Sequence, residues 1–474
     1  MNRHLHSTRR RFFGTSALSL APIALNSLFR QQSSAAEIDS LSGPLQARTP
    51  HYSARAKSVI FLFQTGGPSQ MDLFDPKPAL NRRDGEDFPD EFLKKVQFAQ
   101  IQEKVPQIWG SPYRFSQHGE CGAPMSELLP HMATIVDQVS FVHTMKTDDT
   151  NHMFAELMMN TGWRQFGRPS IGSWVSYGLG SESQDLPAFL VLGGAPRSKA
   201  ANYGNGFLPS KYQGTKLRNS GDAILNLSNP AGYTPQRQAN SIQTINALNR
   251  IRYEENGDDE VAARIASYEL AFRMQAAAPE LLELNKETPE TLRQYGIDDP
   301  ARPTFARNCL LARRLVERGV RFIQIFNTDW DHHTALATSL PNMCRVTDQP
   351  SAALIKDLAQ RGLLDDTLVI WGGELGRTPV AQKSMNPNEA VGRDHQINAF
   401  TMMFAGGGVK RGSTLGATND LGCVPITDSW HVYDLQATIL HALGLDHKAL
   451  TYRYQGRDFR LTDVHGNVKH ELFA

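Results

Sequence analysis

The sequence predicts an α/β fold: a three-layer sandwich with a mostly parallel central sheet, helices on both faces and one helical insertion. Three observations predict it. Short apolar runs alternate along the chain with longer stretches of helical periodicity. The runs are almost continuously apolar rather than alternating, which marks strands buried on both faces. The 474 residues also carry no repeat, low-complexity tract or long charge block that would point to a solenoid or a disordered chain.

Strands are expected at 58–63 (SVIFLF), 139–142 (VSFV), 189–192 (FLVL), 320–326 (VRFIQIF), 367–371 (TLVIW) and 400–404 (FTMMF), all rich in aliphatic or aromatic residues. Helices are expected at 126–137, 152–161, 170–179, 305–318, 350–360 and 435–443, where the pattern is helical. For the last of these, Asp434 is the expected N-cap and Gly444 the expected stop. From about 234 to 304 the strand runs vanish and polar helical sequence takes over. That stretch reads as an insertion within a single domain spanning 37–474.

The first 36 residues stand apart. They hold five arginines and no acidic residue, and Thr8-Arg9-Arg10-Arg11-Phe12-Phe13 is a twin-arginine pattern. The mildly apolar stretch from Ala17 to Phe29 contains Pro22 and Asn26 and is too short to span a bilayer. Ser34-Ala35-Ala36 then offers small residues for cleavage. A twin-arginine signal peptide removed after about Ala36 is expected, with delivery to the periplasm or beyond and no membrane span. Losing five positive charges takes the chain from +1 to −4, which gives no reason to expect nucleic acid as a partner. Cys121, Cys309, Cys344 and Cys423 lie far apart without a C-x-x-C; an oxidising compartment allows one bridge, between partners the sequence leaves open.

Sites in open α/β sheets form at the carboxyl ends of strands, so the segments there are the ones to read. After the first strand come Gly66 and Gly67, then Asp72 and Asp75. After the fourth comes Asn327-Thr328-Asp329-Trp330-Asp331-His332-His333, a carboxylate–imidazole donor set that suits Zn, Mn or Fe. Glu374 and Arg377 follow the fifth strand, and Gly392-Arg393-Asp394-His395 closely precedes the sixth. Taken singly, Asp72 and Asp75 read as turn caps, Glu374 as a helix-start acid and a lone histidine as a surface residue. Four such segments at strand ends together read as a shared metal-type pocket. Asp331, His333, Glu374 and His395 are expected to converge in it, with Asp72 and Arg377 near its rim and Asp394 or His332 orienting the imidazoles.

These residues carry a family resemblance. Gly66-Gly67-Pro68-Ser69-Gln70-Met71-Asp72-x-Phe74-Asp75-Pro76-Lys77-Pro78, Ser126-Glu127-Leu128-Leu129-Pro130, Trp330-Asp331-x-His333, Glu374-x-Gly376-Arg377-Thr378-Pro379, Gly392-Arg393-Asp394-His395 and Gly406-Gly407-Gly408-Val409 resemble the motifs of the DUF1501 family. The run from Gly362 to Glu374 resembles, more distantly, the lead into the Asp-His-Gly metal motif of the alkaline phosphatase and sulfatase superfamily; here Glu374-Leu375-Gly376 stands in its place. Glu374 can still ligate but Leu375 cannot, so one of the superfamily's two metal sites is depleted. Asp331 (or Asp329), His333 and His395 would supply the other. The resemblance implies an alkaline-phosphatase-like sandwich, a nucleophile at the helix start near Thr150-Asn151-His152, and an anionic small-molecule or polysaccharide ester as substrate. It also implies a divalent metal cofactor and a role for Arg377 in pairing with the substrate's charge. No C/S-x-P-x-R stands in the chain, and Cys121-Gly122-Ala123-Pro124 does not fit one, so an ordinary formylglycine sulfatase is excluded. The expectation is a metal-dependent hydrolase of phosphate or sulfate esters; a binding protein of the same fold without catalysis is the alternative.

Overall fold

The computed structural model describes residues 46–218, 233–257, 280–299, 303–383 and 390–474, with a few single positions between 258 and 279. These residues lie in one compact unit, Leu45–Ala474. The signal peptide expected at 1–36 lies outside the described residues.

A nine-stranded sheet forms the centre. Its strands are β1 (Ser58–Gln64), β2 (Val139–Lys146), β3 (Phe189–Gly193), β4 (Thr215–Lys216), β5 (Phe322–Asn327), β6 (Thr367–Gly372), β7 (Phe400–Ala405), β8 (Ser413–Leu415) and β9 (Trp430–His431). All six expected strands are among them. The order is β8-β2-β7-β6-β1-β5-β3-β4, with β9 also beside β2. Every pairing is parallel except the two made by β7, which runs antiparallel to β6 and to β2. That reversal has a structural consequence. The residues just before β7 emerge at the same edge as the residues just after the other strands.

Seven helices matter here: α1 (His152–Thr161), α2 (Ile171–Leu179), α3 (Pro235–Asn256), α4 (Pro289–Tyr295), α5 (Pro303–Glu317), α6 (Leu336–Gln360) and α7 (Val432–Ala442). Strand β1 shows why the sandwich has three layers. Its Val59, Phe61 and Phe63 join a core with residues of α1, α2 and α7, while Ile60 and Leu62 join a second core with residues of α5 and α6. Side chains alternate across a strand, so an unbroken apolar run needs cover on both faces. Each such fully buried side chain contributes roughly 1.5–3 kcal/mol.

Three expectations about helices are corrected. Residues 126–137 do not form a helix: Ala123–Ser126 is a hairpin strand and Met132–Gln138 a 3₁₀ helix. Pro130 lacks the N–H that would bridge them, and Asp348 instead accepts from His131 N and Met132 N at 2.8 and 2.7 Å. Helix α6 begins not at 350 but at Leu336, running through Pro341 and Pro350. Leu336, Leu340 and Cys344 are buried in the core, and that packing outweighs the bonds the prolines cannot make. In α7 the N-cap is His431, and Asp434 is the third residue of a capping box, accepting from His431 N at 3.1 Å. Within 234–304, α3 and α4 are helical; much of the rest lies outside the described residues. All four cysteines are free. Among the described residues no helix is long and apolar enough to cross a membrane.

Candidate metal centre

At the carboxyl edge of the sheet, one ligand atom from each of His152, Asp331, His333 and His395 lies within 4.8 Å of the others. Local sequence brings each of them there. Asp331 and His333 sit in the loop after β5. Its approach to the β1 turn needs Gly66, whose φ is +116° and where a Cβ would stand 2.6 Å from Asp331 N. His152 opens α1 because Asn151 caps that helix, its Oδ1 accepting from Met153 N at 3.0 Å. His395 precedes the reversed strand β7. Its loop packs on 332–333 through Gly392, where a Cβ would stand 2.3 Å from His332 O.

The geometry centres on Asp331 Oδ1. His152 Nε2 lies 3.1 Å from it, His333 Nε2 2.9 Å and His395 Nε2 3.4 Å. The opposite nitrogen of each ring faces an acceptor: Nδ1 of His152 meets Glu374 Oε1 at 2.6 Å, Nδ1 of His333 meets Gln382 Oε1 at 2.6 Å, and Nδ1 of His395 meets the Thr150 carbonyl at 2.5 Å. Acceptors there hold the imidazole protons on Nδ1 and turn the Nε2 lone pairs toward Asp331. Lone pairs so arranged repel unless a cation lies among them. Ligands about 2.0–2.1 Å from a tetrahedral ion stand about 3.3–3.4 Å apart; the three Asp331–imidazole distances are near that value, and all four ligand atoms lie within 4.8 Å of one another. His152 Nε2 is buried and, although close to Asp331, makes no aligned hydrogen bond. The residues present therefore fit a divalent metal with nitrogen and oxygen ligands.

Burial pushes the His395 imidazole down to about 3, with the Arg377 charge and the neighbouring imidazoles adding, so it is neutral and free to ligate. Burial works against a proton on His152 too, but Asp331 and Glu374 outweigh it and hold that ring above its ordinary value. For Asp331, burial opposes the charge. The three imidazoles beside it and the Arg377 guanidinium override that and hold the carboxyl well below the usual range.

The other expected site residues lie around this cluster rather than in it. Glu374 is fully buried and acts on His152, its Oε1 also accepting from Gly66 N at 2.9 Å. Arg377 is 1% exposed. It donates to Gly67 O, Arg393 O and Asp331 Oδ1 at 2.9, 3.1 and 2.8 Å, which clips three loops together rather than facing a substrate. Asp72 stands outside the cluster: it is buried against Arg393, whose Nε and Nη2 lie 2.8 and 3.2 Å from its two oxygens. Asp329, at φ 81°, accepts from Thr328 Oγ1 at 3.2 Å and stays outside the cluster. Thr150 contributes its carbonyl to His395, and the Asn151 side chain is engaged in capping. His332 is buried and pushed down to about 4, chiefly by that burial, with no hydrogen-bond partner at Nε2. Asp394 clamps the segment 99–101 instead of an imidazole. The sequence reading left out two groups: Arg197, in the loop after β3, whose half-exposed guanidinium reaches Asp331 Oδ2 at 2.5 Å, and Gln382.

Residues 56–473 match a family described as "Protein of unknown function (DUF1501)". No curated protein matches the sequence. Among solved structures, the chain is similar to a protein of the alkaline phosphatase superfamily from Vibrio parahaemolyticus (12% identity over 91% of this chain and 77% of that one, TM-score 0.34). It is also similar to a sulfatase from Pseudoalteromonas sp. (11%, 90% and 71%, 0.34) and to alkaline phosphatase from the Antarctic bacterium TAB5 (11%, 84% and 99%, 0.33).

Proposed function

The chain belongs to the DUF1501 family, and from that premise and the geometry of its pocket we propose that it is a metal-dependent hydrolase of phosphate or sulfate esters acting in the cell envelope. The observation that carries this reading is the convergence of three Nδ1-pinned imidazoles and one carboxylate on a single point. A Zn, Mn or Fe ion held there supplies a Lewis acid to an ester oxygen or to water. Asp331, His152, His333 and His395 would hold it; Glu374, Gln382 and the Thr150 carbonyl orient the rings. Arg197 brings exposed positive charge to the mouth, which suits an anionic ester. Leu375 is buried and offers no ligand, so the reading is of one metal rather than two. Thr150 or a water serves as nucleophile.

One observation favours a second reading. Four protein ligands complete a tetrahedral shell, as in structural zinc sites, whereas catalytic zinc usually keeps a position open. A closed shell would make the chain a metal-stabilised binding protein. Metal analysis together with a screen of chromogenic phosphate and sulfate esters separates the two. Bound metal with ester cleavage supports the hydrolase, bound metal without cleavage supports the binder, and purified protein that neither holds nor takes up metal refutes both. Export belongs to the proposal as well: the mature protein should begin near Glu37, and uncleaved protein accumulating in the cytoplasm of wild-type cells would refute that part.

A further inference from the structure

Above the metal-type cluster lies a strap, residues 94–101, that none of the roles above uses. It is tied down firmly. Asp394, fully buried, accepts on one oxygen from three successive backbone amides, Ala99 N at 2.8 Å, Gln100 N at 2.8 Å and Ile101 N at 3.1 Å. Its other oxygen accepts from His395 N at 2.8 Å, so the strap and a cluster histidine share one anchor. Asn398 adds a second tie, donating to Lys95 O at 2.8 Å.

This anchoring presents one side chain, Gln100, to the pocket. A closed ring of hydrogen bonds fixes its orientation. His333 Nδ1 donates to Gln382 Oε1 at 2.6 Å, Gln382 Nε2 donates to Gln100 Oε1 at 3.1 Å, and Gln100 Nε2 lies 3.2 Å from His333 Nε2. Gln382 takes the proton of His333 Nδ1 on its oxygen, so its nitrogen must face Gln100. The Gln100 oxygen is then engaged, and its amide nitrogen directs an N–H toward the cluster. The present acceptor of that N–H is the single lone pair of His333 Nε2, the atom that stands 2.9 Å from Asp331 Oδ1. A lone pair given to a cation no longer accepts a hydrogen bond. Loading the site therefore strips Gln100 of its acceptor and leaves a rigidly aimed donor beside the metal position, at the exposed rim.

From this ring we infer that Gln100 is a substrate-contact residue. With metal bound, its side-chain N–H donates to a non-bridging oxygen of the phosphate or sulfate group, and Asp394, through the strap, positions it. This inference rests on the metal-dependent reading above. It adds a specific donor, on the side of His333, for a tetrahedral oxyanion.

The test uses the full chain and two probes, Zn²⁺ and inorganic phosphate, with binding measured by calorimetry. Gln100 is exposed, so Gln100→Ala should fold normally, as a melting curve will verify. The expected result is Zn²⁺ affinity within about twofold of wild type and phosphate affinity of the Zn-loaded protein reduced about tenfold, the loss of one hydrogen bond to a charged group. Gln100→Glu, which sets a carboxylate against the anion, should reduce phosphate affinity further without weakening Zn²⁺. Unchanged phosphate affinity in both variants overturns the inference. So does a fall in Zn²⁺ affinity with phosphate binding to the loaded site unaltered, which would make Gln100 a support for His333 only. Wild-type protein that binds no Zn²⁺ overturns the metal reading and this inference together, an outcome distinct from either of those.

Discussion

His152 Nε2 stands 3.1 Å from Asp331 Oδ1, with the proton of that ring drawn to the far nitrogen by Glu374, 2.6 Å from Nδ1. Both nitrogens of the ring thus face carboxylate oxygens, and a cation between Nε2 and Asp331 would satisfy the pair in place of a proton. Purified protein should therefore retain about one divalent ion per chain, and a chelator should lower its melting temperature. His152→Ala and His395→Ala should each abolish retention at micromolar free metal while circular dichroism stays native. Retention of metal by both variants would place the ion elsewhere.

Asp72 and Arg393 form a separate pair, both fully buried, and the carboxylate also accepts from Ser69 Oγ at 2.5 Å. Breaking a buried pair from one side leaves an uncompensated charge, so Asp72→Asn should destabilise the protein by about 3–5 kcal/mol. Because Asp72 lies outside the cluster, metal stoichiometry of the folded variant should not change. Denaturant melts and metal analysis on the same preparation check both halves. A stable variant that has lost its metal would return Asp72 to the ligand set.

What the sequence revealed follows from periodicity and topology. Strands such as 58–63 were legible because an unbroken apolar run has few uses other than a doubly covered strand. The grouping of Asp331, His333 and His395 was legible because strand-end loops share an edge, and β7 runs backwards so that even a preceding residue joins them. The role of His152 was not: a histidine at a helix start reads equally well as part of a nucleophile turn, and only the distance to Asp331 makes it a ligand candidate. Gln382 and Arg197 had no local signal, since an amide or guanidinium acquires its role from what folds against it. The sequence marks α6 only from Pro350 because proline usually sits in a first turn, and the burial that carries the helix back to Leu336 is tertiary.

Gly66→Ala should be among the most damaging small substitutions. Its φ of +116° strains any side chain, and the new Cβ would stand 2.6 Å from Asp331 N and 2.9 Å from the Trp330 carbonyl carbon. Backbone on the opposing side cannot rotate away as a side chain can. The expected cost is on the order of 2–4 kcal/mol, together with weakened metal retention because the Asp331 loop must retreat. Chemical denaturation measures the first and metal titration the second. A variant of native stability and affinity would show that the β1 turn does not set the position of Asp331.

Glu156 provides the pH prediction. It lies one turn beyond His152 on α1, fully buried, with Oε2 accepting from Ser198 N and Asn202 Nδ2 at 3.2 Å each and Oε1 without a partner. Burial, with the charge of Glu374 adding, pushes its carboxyl from 4.5 up to about 7. The folded state thus binds this proton more tightly than the unfolded chain does. The sign follows from linkage: the contribution is fully present below about pH 4.5 and is lost as pH rises through about 7. At about 1.4 kcal/mol per unit the loss is a few kcal/mol. Glu156→Gln keeps an oxygen for Ser198 and Asn202 and carries no charge at any pH. In chelator-treated protein, urea melts between pH 5 and 8.5 should show wild-type stability falling relative to the Gln variant up to about pH 7 and level beyond it, where the variant holds its full advantage. Parallel profiles for the two proteins would mean that Glu156 titrates as an ordinary carboxyl, and that the loop carrying Arg197 is held by a charged anchor throughout the range.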